Sequence, residues 1–189
     1  MTTTARQHFT PLQRALHWAM AVCIIAMLFI GVGMVSTIAP NYLTLIDIHK
    51  PLGIAILLLA LVRLAVRLRV GAPALPRDLP EPMKLAAHLS HYALYGLMIG
   101  MPLVGWAMVS SGGYPVTILG GLRLPALVGQ NDGLHATLQT LHVDGAFVFF
   151  ALILVHLAAG LFHALVRRDG VFEAMAPGPV NDRVVTQAE

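Results

Sequence analysis

Charge is what this sequence has least of. Asp, Glu, Lys and Arg make up 11% of its 189 residues, against 57% hydrophobic, where a soluble domain carries about 25% charged residues. A chain so poor in charge cannot cover itself with a solvated surface. Disorder and a free nucleic-acid binder are excluded on the same ground. The single cysteine, Cys23, excludes an intrachain disulfide and with it a secreted disulfide scaffold. Carboxylates number only nine and hardly enter the apolar stretches, which argues against a cation transporter. Histidine is the exception, with nine copies in a chain whose formal net charge is only +3.

Four apolar stretches are long enough to cross a bilayer, which takes about 20 helical residues. They run over about residues 15–36, 46–68, 85–109 and 141–166. None has the polar face of a soluble bundle helix. The expectation is an all-α membrane protein: one membrane domain over 1–189, built as a four-transmembrane-helix bundle. The first stretch is too long for a signal-peptide core and lacks a small-x-small cleavage site. A linker at 71–82, with prolines at 73, 76, 80 and 82, separates the second and third spans. A long loop at 110–140 opens with Ser110-Ser-Gly-Gly-Tyr-Pro115, and its last part, Gly133 to Thr140, is expected as a short helix leading into the fourth span.

Lys and Arg set the orientation. Arg6, Arg14, Arg63, Arg67, Arg69, Arg77, Lys84, Arg167, Arg168 and Arg183 fall on one side, and only Lys50 and Arg123 on the other. Both termini are therefore expected in the cytoplasm, in keeping with an even number of spans.

An imidazole within a membrane is costly and marks function by default. Eight of the nine histidines lie in or at the ends of the spans. His142 and His156 are fourteen residues apart; at about 100° per residue this falls about 40° short of four turns and rises about 21 Å. The fourth helix thus offers two ligands on one face at two depths. His17 matches the depth of His156, near the cytoplasmic end, and His49 matches that of His142, near the outer end. Two facing pairs suit cofactors held between helices. Zinc prefers four close ligands, often with Cys or carboxylate, whereas haem needs one or two axial histidines and an apolar slot. Two histidines per iron close both axial positions and leave electron transfer as the function. The same spacing puts Gly31 on the face of His17 at the outer depth, where it makes room for a macrocycle. It puts Arg63 on the face of His49 at the inner depth, where a guanidinium meets haem propionates. Gly31 itself, and Gly53 and Gly160, each four residues after a histidine, are individually expected mainly as helix-packing residues, and the methionines at 20, 27, 98, 101 and 108 as core or lipid-facing.

These residues carry a resemblance. Arg14-Ala-Leu-His-Trp18, His49-Lys-Pro-Leu-Gly53, Arg63-Leu-Ala-Val-Arg67, His88-Leu-Ser-His91 with Leu94-Tyr95, Pro115-Val116, Leu124-Pro125, His142, His156, His163 and Arg168-Asp-Gly170 resemble the bacterial cytochrome b561 family over about residues 10–176. The family comprises di-haem four-helix cytochromes related to hydrogenase-type cytochrome b subunits. The resemblance implies a multi-pass protein of the bacterial inner membrane, two b haems on His17, His49, His142 and His156, and a quinone near the inner haem. His163, about 10.5 Å beyond His156 along the helix, and His88 and His91 at the same membrane edge are the candidate quinone-site residues, the alternative for each being an interfacial histidine that reaches to water. Two departures stand out: Val143 where the family often has Glu, and Ala164 where it often has a second histidine.

The expected function is electron transfer across the inner membrane between an outer-face donor or acceptor, protein or small molecule, and ubiquinone or another quinone. A superoxide oxidase reducing ubiquinone is the alternative, and a haem-free transporter or assembly subunit the second. A positive outer field would steer superoxide, but Lys50 and Arg123 face Asp47, Asp132 and Asp144, a formal sum of −1. Only Lys50, beside His49, offers a local guide. For topology, reporters fused after Arg69 and after Arg168 are expected to read cytoplasmic and one near Gln130 outside; the opposite reading at Gln130 would invert the orientation.

Overall fold

A computed structural model describes residues 8–36, 41–118 and 121–178. Arg6 and Arg183, two of the charges used above, lie outside them. Four long helices follow one another: α1 (Pro11–Ser36), α2 (Asn41–Val70), α3 (Glu81–Ser111) and α4 (Asp132–Phe162), which ends in a π-helical turn, His163–Arg167. Each is long and apolar enough to cross a membrane. With 26 to 31 residues at about 1.5 Å each, each exceeds the roughly 30 Å of a hydrocarbon core and projects from it.

Every helix begins earlier than hydropathy alone places it; at α1 and α4 the reason is a polar cap outside the apolar run, whereas α3 starts behind Pro80 with no side-chain cap. At the start of α1, Gln13 N–H donates to Thr10 Oγ1 (3.3 Å) and Thr10 N–H donates to Gln13 Oε1 (3.1 Å), a reciprocal capping box with Pro11 in the first turn. At α4, Asn131 Oδ1 accepts from Leu134 N–H at 2.8 Å. The helix expected from Gly133 to Thr140 is therefore continuous with the fourth span, and the loop ends near Asn131. Pro51 and Pro102 lie inside α2 and α3; neighbouring helices make such prolines tolerable in membranes.

Helix α1 packs on α2, α2 on α3 and α3 on α4. Their common core is Met20, Ile24, Ile56, Ala60, Leu94, Tyr95, Met98 and Phe149, with Ala60 fully enclosed. Large apolar side chains such as Phe29, Leu68 and Phe147 stay mostly exposed, as hydrocarbon rather than water would require.

The two ends of the bundle differ. At the end rich in Arg, Phe9 N–H donates to Ala174 O (3.1 Å), Trp18 Nε1–H to Met175 O (2.9 Å), Gln13 Nε2–H to Gly71 O (2.8 Å), and the Arg14 guanidinium to Gly178 O. The start of α1, the end of α2 and the segment after α4 thus meet there. At the other end a short hairpin, β1 (Val116–Thr117) against β2 (Arg123–Leu124), is antiparallel with Val116 opposite Leu124; it was not expected from sequence. Its flank is tied to α3 by Trp106 Nε1–H to Pro125 O (3.0 Å), and the start of α4 by His135 Nδ1–H to Met108 O (2.8 Å).

Loss of the α4 cap in Asn131→Ala should cost about 0.5–2 kcal/mol, read as a lower thermal unfolding midpoint in detergent. An unchanged midpoint would mean that the cap contributes nothing.

Candidate functional site

Helix α4 is unbroken from Asp132 to Phe162, so His142 and His156 keep their common face, about 21 Å apart along the axis. Each faces a histidine on another helix. The rings of His156 and His17, on α1, have centroids 6.3 Å apart at 63°. Those of His142 and His49, on α2, are 6.0 Å apart at 71°. Two imidazole–metal bonds of about 2.0–2.1 Å in line, with a ring radius added at each end, put such centroids about 6 Å apart. Both gaps are of that order, as is the 5.7 Å between the rings of His91, on α3, and His156.

His49 Nδ1 and His142 Nδ1 are buried with no hydrogen-bond partner among the described residues, an uncommon condition for buried polar atoms. A Cβ added at Gly31 would meet nothing within 4 Å, leaving a strip of α1 open at that depth. One would lie 3.0 Å from His142 Cε1 if added at Gly105 of α3. Gly105 thus lets α3 come up against the His142 ring, a role with no periodic signal in the sequence. Gly53 and Gly160 are different: an added Cβ there would make ordinary contacts at 3.8 and 3.9 Å. Among the described residues no group of three or more His, Cys, Asp or Glu could hold a bare metal ion.

The Arg-rich end carries the charges. One Arg63 nitrogen donates to His17 Nδ1 at 2.8 Å, so Arg63 does reach the depth of the inner pair. Its guanidinium carbon lies 5.5 Å from the Tyr95 ring centroid, and that of Arg67 lies 6.0 Å from it. Tyr95, four residues after His91 and so on the same face of α3, keeps its hydroxyl buried and unpartnered among the described residues.

The three histidines expected at the quinone site separate. His91 is packed against His156, ring centroids 5.7 Å apart at 70°, and so belongs with the inner pair. His88, three residues earlier, is exposed on α3. His163 opens the π turn, and its Nδ1 lies 2.8 Å from Asp169 Oδ2. Asp169 also accepts from Arg167 Nε at 2.8 Å. Burial alone would raise the Asp169 carboxyl, but hydrogen bonds from Arg167, His163 and Val171 N–H outweigh it and bring it below the usual carboxylate range. It is ionised at neutral pH. The sequence signal for Asp169 is its position as the first carboxylate after Asp144.

Histidines facing one another across an apolar four-helix bundle define a class of membrane proteins that hold haem between helices and pass electrons. A family model described as prokaryotic cytochrome b561 matches residues 8–178, and the chain belongs to that family. It is a multi-pass b-type cytochrome of the bacterial inner membrane. Cytochrome b561 homolog 1 of Escherichia coli (strain K12) is 27% identical, over 89% of this chain and 97% of that protein. Cytochrome b561 homolog 2 of the same strain is 24% identical, over 92% and 93%. A Yersinia pestis protein named probable superoxide oxidase CybB is 34% identical, over 69% and 73%.

The Gly105 contact gives a test. Gly105→Ala must displace the His142 ring by a few tenths of an ångström and should shift part of the reduced b-band absorption. Gly160→Ala, with room to spare, should not. Equal spectra for Gly105→Ala and the unaltered protein would remove Gly105 from the site.

Proposed function

We propose that this cytochrome moves electrons through the membrane between a donor or acceptor at the loop end and the quinone pool at the Arg-rich end, with two b haems as relays. The observation that carries the reading is the pair of facing histidine couples on one continuous helix. His17 and His156 would hold the inner haem, His49 and His142 the outer. Bound there, haem would supply a one-electron couple.

The protein's own residues do the rest. Ligation of His17 through Nε2 puts its ring proton on Nδ1. The Arg63 hydrogen bond to Nδ1 would then bring two donors together. Arg63 must turn away, and its fork is free for the propionate carboxylates at that depth. The open strip at Gly31 accommodates the outer macrocycle. His91, against His156, and His163 and His88 beyond it are the groups we assign to the quinone head. The Arg-rich end would face the cytoplasm, where protons exchange with water, and lipid covers the apolar flanks.

Similarity to a probable superoxide oxidase favours a second reading, in which two superoxide ions each give up one electron at the loop end and leave as dioxygen, and one ubiquinone takes both electrons with two protons at the other end. Lys50 is the cation beside His49, but Asp47 Oδ1 lies 3.8 Å from its Nζ, which weakens any local positive field.

Histidine substitutions test the relay. His17→Ala and His156→Ala should remove or perturb one and the same haem species in dithionite-reduced spectra, and His49→Ala and His142→Ala the other. His91→Ala should keep both. Loss of one species by both His17→Ala and His49→Ala would break the pairing, and loss of the inner haem in His91→Ala with retention in His17→Ala would make His91 the ligand opposite His156. Mixing with superoxide at varied salt separates the outer donors. A fast reduction that slows as salt screens the field supports superoxide, and a slow, salt-independent one supports another donor.

A further inference from the structure

Four groups meet where α4 ends. The π turn at His163–Arg167 is followed by Arg168 in the left-handed region (φ 52°), whose N–H donates to His163 O at 2.7 Å. A non-glycine residue there is uncommon. The reversal carries Asp169 back beneath His163. The two side chains are only 13% and 9% exposed. Asp169 Oδ2 lies 2.8 Å and Oδ1 3.0 Å from His163 Nδ1. Arg167 Nε–H donates to Oδ2 at 2.8 Å, and Val171 N–H to Oδ1 at 3.3 Å. Arg167 in turn donates to the exposed Asp78 of the Pro-rich linker at 2.8 Å.

An ionised carboxylate only accepts hydrogen bonds. His163 Nδ1 must therefore be the donor, which in the neutral ring leaves Nε2 with a bare lone pair. The carboxylate itself cannot swing away, since Arg167 and the Val171 N–H hold it from other sides. The arrangement fixes both the tautomer and the plane of one imidazole, as in an Asp-oriented histidine base.

We propose that Asp169 is a positioning residue that presents His163 Nε2 as the proton acceptor for a hydroquinone. The proposal rests on the quinone reading above. In the step, the hydroquinone loses two electrons, one at a time, to ferric b-haem iron, and two protons. One hydroxyl proton passes to His163 Nε2 and from the imidazolium to water; the other passes directly to water. Quinone and ferrous iron are the products, and quinone reduction runs the same steps backwards. Asp78 takes no part, since its tie among the described residues is to Arg167, on the exposed side.

The test uses the full-length holoprotein in nanodiscs, with a short-chain ubiquinol as probe and histidine labelled with 15N. Asp169→Asn should keep both haems, reduce kcat for quinol-dependent haem reduction about 10- to 100-fold and leave KM within about twofold, a loss smaller than the about 10²–10⁴-fold that a positioned base can contribute. Asp78→Asn should match the unaltered protein. Added to His163→Ala, Asp169→Asn should cause no further loss. The 15N spectrum of unaltered His163 should show Nδ1 protonated and Nε2 bare, and Asp169→Asn should mix the tautomers. An unchanged rate in Asp169→Asn, an equal loss in Asp78→Asn, or an additive loss in the double variant would overturn the proposal. If ubiquinol fails to reduce the unaltered protein, the quinone reading itself falls. The 15N spectrum still decides whether Asp169 orients His163, and a mixed tautomer in the unaltered protein would also overturn the proposal should Asp169→Asn not fold.

Discussion

The arrangement of the two histidine couples depends on α4 staying helical from His142 to His156. A break or an inserted residue between them would rotate one imidazole by about 100° and turn it from the bundle towards lipid. Hydrocarbon enforces the continuity, because no water is present there to satisfy a backbone group released from the helix. Helix α2 imposes the same relation between His49 and Arg63, which brings a cation to the depth of the inner couple. The register of two helices thereby sets which polar groups share a level of the membrane.

At the Arg-rich end that regularity stops. The α-helix of α4 widens into a π turn, Arg168 reverses the chain, and the following segment crosses back to the start of α1 through Phe9, Trp18 and Arg14. Backbone irregularity is affordable there because water and polar side chains reach the freed groups. Here too His163 receives its carboxylate and the two guanidiniums flank Tyr95. The loop end is held more simply, by the hairpin and by side chains tied to carbonyls at the end of α3. Among the described residues, His49 and His142 face each other there, beside the glycine that lets α3 approach.

Much of this was legible in the sequence. Four spans follow from hydropathy, and the depth matching of the four histidines and the level of Arg63 follow from helical rise and rotation applied to residue numbers; the contacts of His17 with His156, His49 with His142 and Arg63 with His17 agree with that arithmetic. The helix starts at Pro11 and Asp132 were legible too, through Thr10 to Gln13 and through Asn131, but hydropathy hides caps because capping residues are polar. The hairpin was not: two residues per strand give no alternating pattern long enough to recognise.

The sequence by itself determined the solvent, the number of spans and the levels at which histidines lie, because composition and a 1.5 Å rise need no knowledge of neighbours. Tertiary structure alone decided which side chains meet. His91 and His88, three residues apart, fall to different surroundings, one against His156 and one exposed, because that depends on where α3 lies against α4. His163 pairs with Asp169 rather than joining them, because a single left-handed residue at Arg168 redirects the chain. Such contacts depend on interhelical rotation and on one backbone angle outside the helical range, and neither is written in the periodicity of a single helix.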